Sequence, residues 1–313
     1  LNLTSVSKDE KSVNNLIATQ ATALDNQSNN PQMVFQDSLN STLYAGDKFY
    51  RVLKSADVKA VNYDRALELG KQLYGNAKDY TFYFVGNFDE KQILPLIEQY
   101  IASLPSNGKQ FKNKSVEQVT GKIVNKFTKE MENPQDMAVE VYNSEAPYSL
   151  KNSVLADVTA RVLGMDYNRN IRERLSAAYY AGANQLESFK LDGKKVRIGF
   201  SGVAMLNPDK ADEAIPCFYE GLKKAMENPD ADDIQKAKEI LLKQADVDAK
   251  KNGYWMNVIY DYITYGYDDY TDYKKEVSAV NGKAISDFLK NVVLKDGNHV
   301  EVIMHATKSG EKK

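Results

Sequence analysis

Cysteine is almost missing from this chain of 313 residues. Cys217 stands alone, so no disulfide can close internally and no pair of thiolates can hold a metal; it reads as a small apolar packing residue. Histidine is nearly as scarce, with only His299 and His305 present. They sit six residues apart on a segment that reads as a strand, on one face but about 20 Å from each other by strand rise, so they cannot share a zinc ion. A His-x-x-Glu-His motif is absent in either orientation, as are a Gly-x-Ser-x-Gly nucleophile elbow and a glycine-rich phosphate loop. Taken alone, the chain offers no metal ligands and no cofactor site of its own.

Long apolar runs are also lacking, so no segment spans a bilayer, and LNLTSVSKDEKS at the start has neither the basic nor the apolar region of a signal peptide. An initiating Met is missing, which points to a fragment or a processed product. No excess of one charge exists: 41 Lys plus Arg stand against 43 Asp plus Glu. That balance argues against a nucleic-acid grip or a polybasic membrane anchor.

What is present is ordinary globular material, 42% hydrophobic and 27% charged, long enough for one large domain plus an extension or for two domains. Residues 1–75 read as a helical tail of a preceding domain or a linker, and 76–313 as an α+β domain. In the first part, Asp9 to Leu24 places Val13, Leu16, Ile17 and Leu24 on one helical stripe, Pro31 opens a second helix, and Asn62 to Tyr74 reads as another, ended by Gly75. From Tyr80 the run YTFYFVG is aromatic and β-branched on both parities, which predicts a strand buried on both faces. Asp89 then caps a helix whose stripe includes Ile93, Ile97 and Leu104, with Pro95 inside it as a kink or a late start.

Gly121 to Thr128 and Met137 to Ser144 predict two further strands, the second alternating. A helix follows from Leu150 and stops at Gly164, then come strands at Ala177 to Leu186 and Lys195 to Ala204, with Gly193 marking the hairpin turn between them. Asn207 to Met226 and Ala231 to Lys250 read as two long helices, and a last strand lies near His299 to Ala306. Strands in hairpin-like pairs interspersed with long helices predict an α+β layer structure with a mainly antiparallel sheet. In the tyrosine-rich run between Gly253 and Tyr273, Trp255, Ile259 and Tyr262 fit one buried face, so core packing is the simpler reading and a ligand-stacking role the less favoured one. Asp230, Asp232 and Asp233 read as a helix N-terminal cap rather than a calcium loop.

The most chemically suggestive stretch is IRERLSAAYYAGA, Ile171 to Ala183, where a helix hands over to a strand. Arg172 precedes Tyr179 by seven residues, about 10 Å along a continuous helix. If the chain turns at Ser176 and Ala177, the guanidinium and the phenol can converge on a peptide carbonyl or a developing oxyanion. The alternative is that Arg172 pairs with a carboxylate and Tyr179 fills the core.

This stretch, together with YTFYFVGNFDEKQILPLIEQYIASLP at Tyr80 to Pro105, resembles the pitrilysin/insulinase family of inverted zinc metallopeptidases, in its bacterial, often periplasmic branch. Ala237, Lys238, Asn252 and Trp255 carry a weaker likeness. The resemblance implies the C-terminal, non-metal part of a zinc metalloendopeptidase, with Arg172 and Tyr179 at the substrate-contacting positions. Zinc and its His-x-x-Glu-His are then expected in an N-terminal half, which is the implied partner along with a peptide substrate. A periplasmic location is implied on the same ground. A catalytically inactive family member, acting as a peptide-binding or scaffold subunit beside a separate catalytic chain, is the alternative. Ser176 departs from the family pattern, in which many relatives carry Gly.

Overall fold

The computed structural model describes residues 7–106, 108, 111, 114–189 and 194–308. The chain divides into two compact units, one of Leu1–Val34 and Val52–Lys114, the other of Phe35–Arg51 and Ser115–Lys313. The helices that precede the sheet in sequence are α1 (Glu10–Gln27), α2 (Pro31–Leu43), α3 (Ser55–Lys59), α4 (Tyr63–Tyr74) and α5 (Glu90–Tyr100), and α2 belongs to the second unit from Phe35 onward. Three of these starts have a visible cause. The Asp9 carboxylate accepts from the Ser12 N–H, Asn62 from Arg65, and Asp89 from Lys91, satisfying amides that the first turn leaves without partners. Pro95 lies inside α5, which begins at Glu90 rather than after the proline.

The strand expected at Tyr80 to Gly86 does not form. These residues enter no ladder, and Tyr80, Phe82 and Phe84 remain exposed. Aromatic and β-branched residues favour extended backbone, but a strand also needs a partner edge. Among the described residues of this unit, the only β-pairing is an isolated bridge between Asn76 and Ser106.

The second unit carries β1 (Lys122–Met131), β2 (Asp136–Pro147), α6 (Leu150–Tyr167), β3 (Ala178–Phe189), β4 (Lys195–Leu206), α7 (Ala211–Ala214), α8 (Pro216–Glu227), α9 (Ala231–Asp248), α10 (Asn252–Tyr265), α11 (Tyr273–Ala279), α12 (Gly282–Phe288) and β5 (Asn298–Lys308). The strands form one sheet in the order β1-β5-β2-β4-β3. Only β1 and β5 run parallel; the other neighbours are antiparallel. This is the mainly antiparallel α+β architecture that the hairpin-like strand pairs imply. The turn proposed at Gly193 lies outside the described residues.

Alternation along β2 separates two cores. Ala138, Tyr142 and Ala146 join Leu155, Val158 and Leu163 of α6 and Phe218 of α8 on one face, whereas Met137, Val139 and Val141 meet Phe35 and Leu39 of α2 on the other. Asn207 to Met226 is not one helix. Pro216 has no N–H to continue the ladder, and the segment breaks into a short 3₁₀ turn, α7 and α8. Asp230 caps α9 through the Asp232 and Asp233 amides, as its position implies.

Gly164 does not end α6. The helix continues to Tyr167 and then widens into a π-helical turn, Asn168–Arg174. A Cβ at Gly164 would stand 3.2 Å from the Ala183 amide nitrogen, so the glycine serves close packing of the helix on β3. The turn closes when the Ala177 N–H donates to the Ile171 carbonyl at 2.9 Å, a bond one residue longer than that of a Schellman ending, as the wider π-helical turn requires. Ser176, the residue inside that bond, takes φ +48°. Glycine is the natural occupant of such a left-handed position, because a side chain there crowds the following carbonyl.

One buried polar cluster faces the helix layer. Glu140, only 1% exposed, contacts His299, and it stands opposite Glu301 in the β2–β5 register. The His299 ring stacks on Tyr142 with centroids 4.4 Å apart, while Glu301 is paired with Lys126 at 3.1 Å. Burial pushes the Glu140 carboxyl up to about 7; the charge of Glu301 acts in the same direction, and His299 opposes it.

Two outcomes are expected. Ser176→Gly should raise the urea midpoint, by about 1 kcal/mol of stability, through relief of the left-handed backbone; an unchanged or lower midpoint refutes the strain. The folded chain holds the Glu140 proton up to about pH 7, whereas an unfolded glutamate releases it near 4.5. Its contribution is therefore complete below that lower value and lost as pH rises through the upper one. Glu140→Gln should flatten the corresponding decline in stability between mildly acidic and neutral pH, and parallel wild-type and variant profiles would contradict this.

Candidate functional site

The widened turn between α6 and β3 projects Arg172 from a rigid base. Ile171 is fully buried beneath it, and the Leu175 carbonyl accepts from Lys210 Nζ at 2.7 Å. On one flank, Arg169 grips the buried carboxylate of Asp233 with two bonds of 2.8 and 2.7 Å from one nitrogen, tying the turn to α9. This hydrogen bonding holds the Arg169 guanidinium even more firmly protonated than usual. Next to it, Asp166 accepts from Lys224 of α8 and from Asn170, each at 2.9 Å. The carboxylates of these pairs are buried while the Arg169 and Lys224 side chains stay exposed, and pairs of this kind fix geometry more than they add stability.

Arg172 itself is exposed and enters no ion pair among the described residues. Tyr179 is 78% exposed. It falls at the register shift in the β3–β4 ladder, where Ala178 pairs with Leu206 and Tyr180 with Met205, leaving Tyr179 as the extra residue of a bulge. The alternative in which Arg172 is paired and Tyr179 fills the core therefore does not describe the structure. Arg172 lines an open groove of about 550 Å³, whose floor includes Gly182 and Ala183 of β3 and whose wall includes Arg169 and Lys236. The tyrosine lining this groove is Tyr180, and Tyr179 is not among its lining residues. The doublet of tyrosines at a strand start was the signal for the second one.

β3 is the terminal strand of the sheet, so among the described residues the backbone groups on its outer side have no ladder partner. Such an edge accepts an additional extended segment through main-chain hydrogen bonds. The groove thus offers a strand edge beside an exposed guanidinium.

No group of three or more His, Cys, Asp or Glu among the described residues is arranged to hold a metal ion. His299 is engaged with Glu140, and His305 Nδ1 lies 2.8 Å from Asp136, 2% exposed. Cys217 is buried, with its thiol held above the ordinary range by burial. In the tyrosine-rich run, Trp255 donates from Nε1 to the Ala249 carbonyl at 2.8 Å, but no residue of α10 is fully buried and Tyr262 is exposed. The single buried face expected of Trp255, Ile259 and Tyr262 therefore forms only in part.

Comparison with known proteins places this geometry. Residues 60–241, more than half of the chain, match the family described as the peptidase M16 inactive domain. The probable zinc protease PqqL of Escherichia coli K12 is 25% identical over 216 residues, 66% of this chain and 22% of that protein. The crystal structure of the periplasmic protease PqqL from Escherichia coli superposes with a TM-score of 0.78 at 18% identity, over 96% of this chain and 33% of that one. A protease from Helicobacter pylori gives 0.76 at 13% identity, covering 97% and 74%. The first half of PqqL, solved separately, also superposes, at 0.68 with 12% identity over 96% of this chain and 67% of that one. The chain therefore spans about a fifth of the curated relative it matches and a third of the longer solved chain. From the match across more than half its length, the chain belongs to the M16 peptidase family, where it corresponds to the inactive domain.

Proposed function

We propose that this chain is the substrate-holding, non-metal part of a two-part zinc endopeptidase that acts on unfolded or small peptides. The observation that carries the reading is the free edge of β3 lying beside the exposed Arg172 in one groove. An extended peptide adds to that edge as a further strand, and its main-chain groups supply sequence-tolerant affinity. Arg172 is permanently charged, and the Tyr179 hydroxyl is a neutral donor; both stand exposed at the same helix-to-strand junction. Their role is to donate hydrogen bonds to carbonyl oxygens of the bound peptide, holding it in one pose and stabilising negative charge as it develops.

Among the described residues no cluster fits a zinc site; in this reading the metal and its general base come from a separate catalytic half. The superposition on the first half of PqqL supports a partner of the same fold, as in a protein built from two related halves. That half is either part of the same polypeptide or a separate subunit. The likeness to PqqL, which is periplasmic in Escherichia coli, supports the same compartment here. The scaffold alternative keeps the groove but places it on a catalytically inactive member beside a separate catalytic chain; a His-x-x-Glu-His in the polypeptide that contains this chain favours the peptidase.

In the complete zinc-loaded enzyme, Tyr179→Phe should lower kcat/KM on an unstructured peptide at least about tenfold, equivalent to about 1.4 kcal/mol of transition-state binding. Zinc content should be unchanged. Wild-type turnover in the variant would remove Tyr179 from the site.

A further inference from the structure

A second cavity, of about 410 Å³, opens farther along the same edge strand. Gln185, Glu187 and Phe189 of β3 line it, whereas the groove beside Arg172 is lined by Tyr180 to Ala183; Arg161 borders both. Ala181 and Ala183 pack with the helix-side core, and side chains two apart on a strand share a face, so both sites open on the helix side of the β3 edge.

The two sites have opposite electrostatics. In the second cavity, Asp157, Glu187, Asp248, Asp261 and Asp269 contribute carboxylates, and Arg161 is the one cation among the lining residues. Arg161 is already committed to Asp157 at 2.8 Å, and Asp248 is held by Lys251 at 2.7 Å. Glu187, Asp261 and Asp269 have no ion pair among the described residues. Glu187 accepts from Ser153 on one oxygen, while its other oxygen, one oxygen of Asp269 and the Tyr148 hydroxyl are shut away from solvent without any hydrogen-bond partner. Burial with no neutralising neighbour raises the carboxyls of Asp261 and Asp269 above the ordinary range, and burial raises Glu187 despite the Ser153 bond. The walls are aromatic: Tyr148 and Phe189 are tilted neighbours with centroids 5.5 Å apart, and Tyr254 and Tyr273 also line the space. Carboxylates left short of a cation inside an aromatic cage suit an organic cation, which gains from ring faces as well as from charge.

We propose that this cavity binds the cationic side chain, arginine or lysine, of the same peptide that pairs with the β3 edge. The assignment rests on the strand-addition reading above and specifies its substrate class. Ala183 and Glu187 are four residues apart, about 13 Å along a strand. A basic residue about four positions from the carbonyl nearest Arg172 therefore reaches the cavity, and neutral or acidic residues are accepted at the Arg172 end.

The test is fluorescence anisotropy on the intact chain with a labelled, unstructured peptide containing one arginine, and with its twin in which citrulline replaces that arginine. Citrulline keeps the shape and removes the charge, with a carbonyl oxygen in place of one guanidinium nitrogen. The arginine peptide should bind about tenfold more tightly or better. The double variant Asp261→Asn, Asp269→Asn should lose that preference while retaining the affinity for the citrulline peptide. N-methylation of alternate peptide amides should weaken both peptides, because it blocks strand addition. Equal binding of the two peptides to the wild-type chain overturns the cationic pocket and leaves the edge reading intact. Absence of binding by both overturns the edge reading and this assignment with it. The peptide pair is compared on unaltered protein, so the outcome does not depend on whether the variant folds.

Discussion

The ion pair between Arg169 and Asp233 is the constraint on which the rest of the site depends. α6 must end, turn and deliver its chain to the edge of the sheet, and a turn of π-helical geometry has weaker backbone bonding than the helix before it. Anchoring that turn to α9 through a nearly buried carboxylate, and to α8 through Asp166 and Lys224, fixes where β3 begins. Replacing these pairs by apolar residues of matching size could leave the fold as stable, but it would remove the directional bonds that set the position of the turn. Arg172 is free to face outward because its neighbours carry the structural load.

That arrangement explains why the exposed chemistry sits at an edge strand and not in the sheet interior. Interior strands exchange all their backbone bonds with neighbours, and the side chains on both faces are committed to the two cores on either side of β2. Among the described strands, β3 combines unpaired backbone, a bulge that displays Tyr179, and two lined recesses along its length. A domain without metal ligands can therefore still contribute recognition, since binding an extended chain needs an edge and a few donors rather than a reactive centre.

Much of this was legible in the order of residues. The period-two pattern of Met137 to Ser144, the caps at Asp89 and Asp230, the helix start at Pro31 and the helix end at Gly75 all act locally, so local reading recovers them. The failures have a common cause in long-range partners. Tyr80 to Val85 has the composition of a strand but no neighbouring edge to complete it. Gly164 looks like a helix stop, yet its role is set by Ala183, nineteen positions later. The acidic cavity was hidden because Glu187 on a strand and Asp261 and Asp269 near a later helix converge only in three dimensions. Tyrosines 254 and 273 drew notice as a composition, but their significance depends on those carboxylates beside them.

The absent side chain at Gly164 has a further meaning. Since the helix and the Ala183 backbone touch there and both border the Arg172 groove, the gap between them works as a dial whose finest step is one methyl group. Groove width, and with it the bulk of residue admitted, can thus drift through a single codon that adds no donor or acceptor, while the chemistry displayed at the rim stays the same.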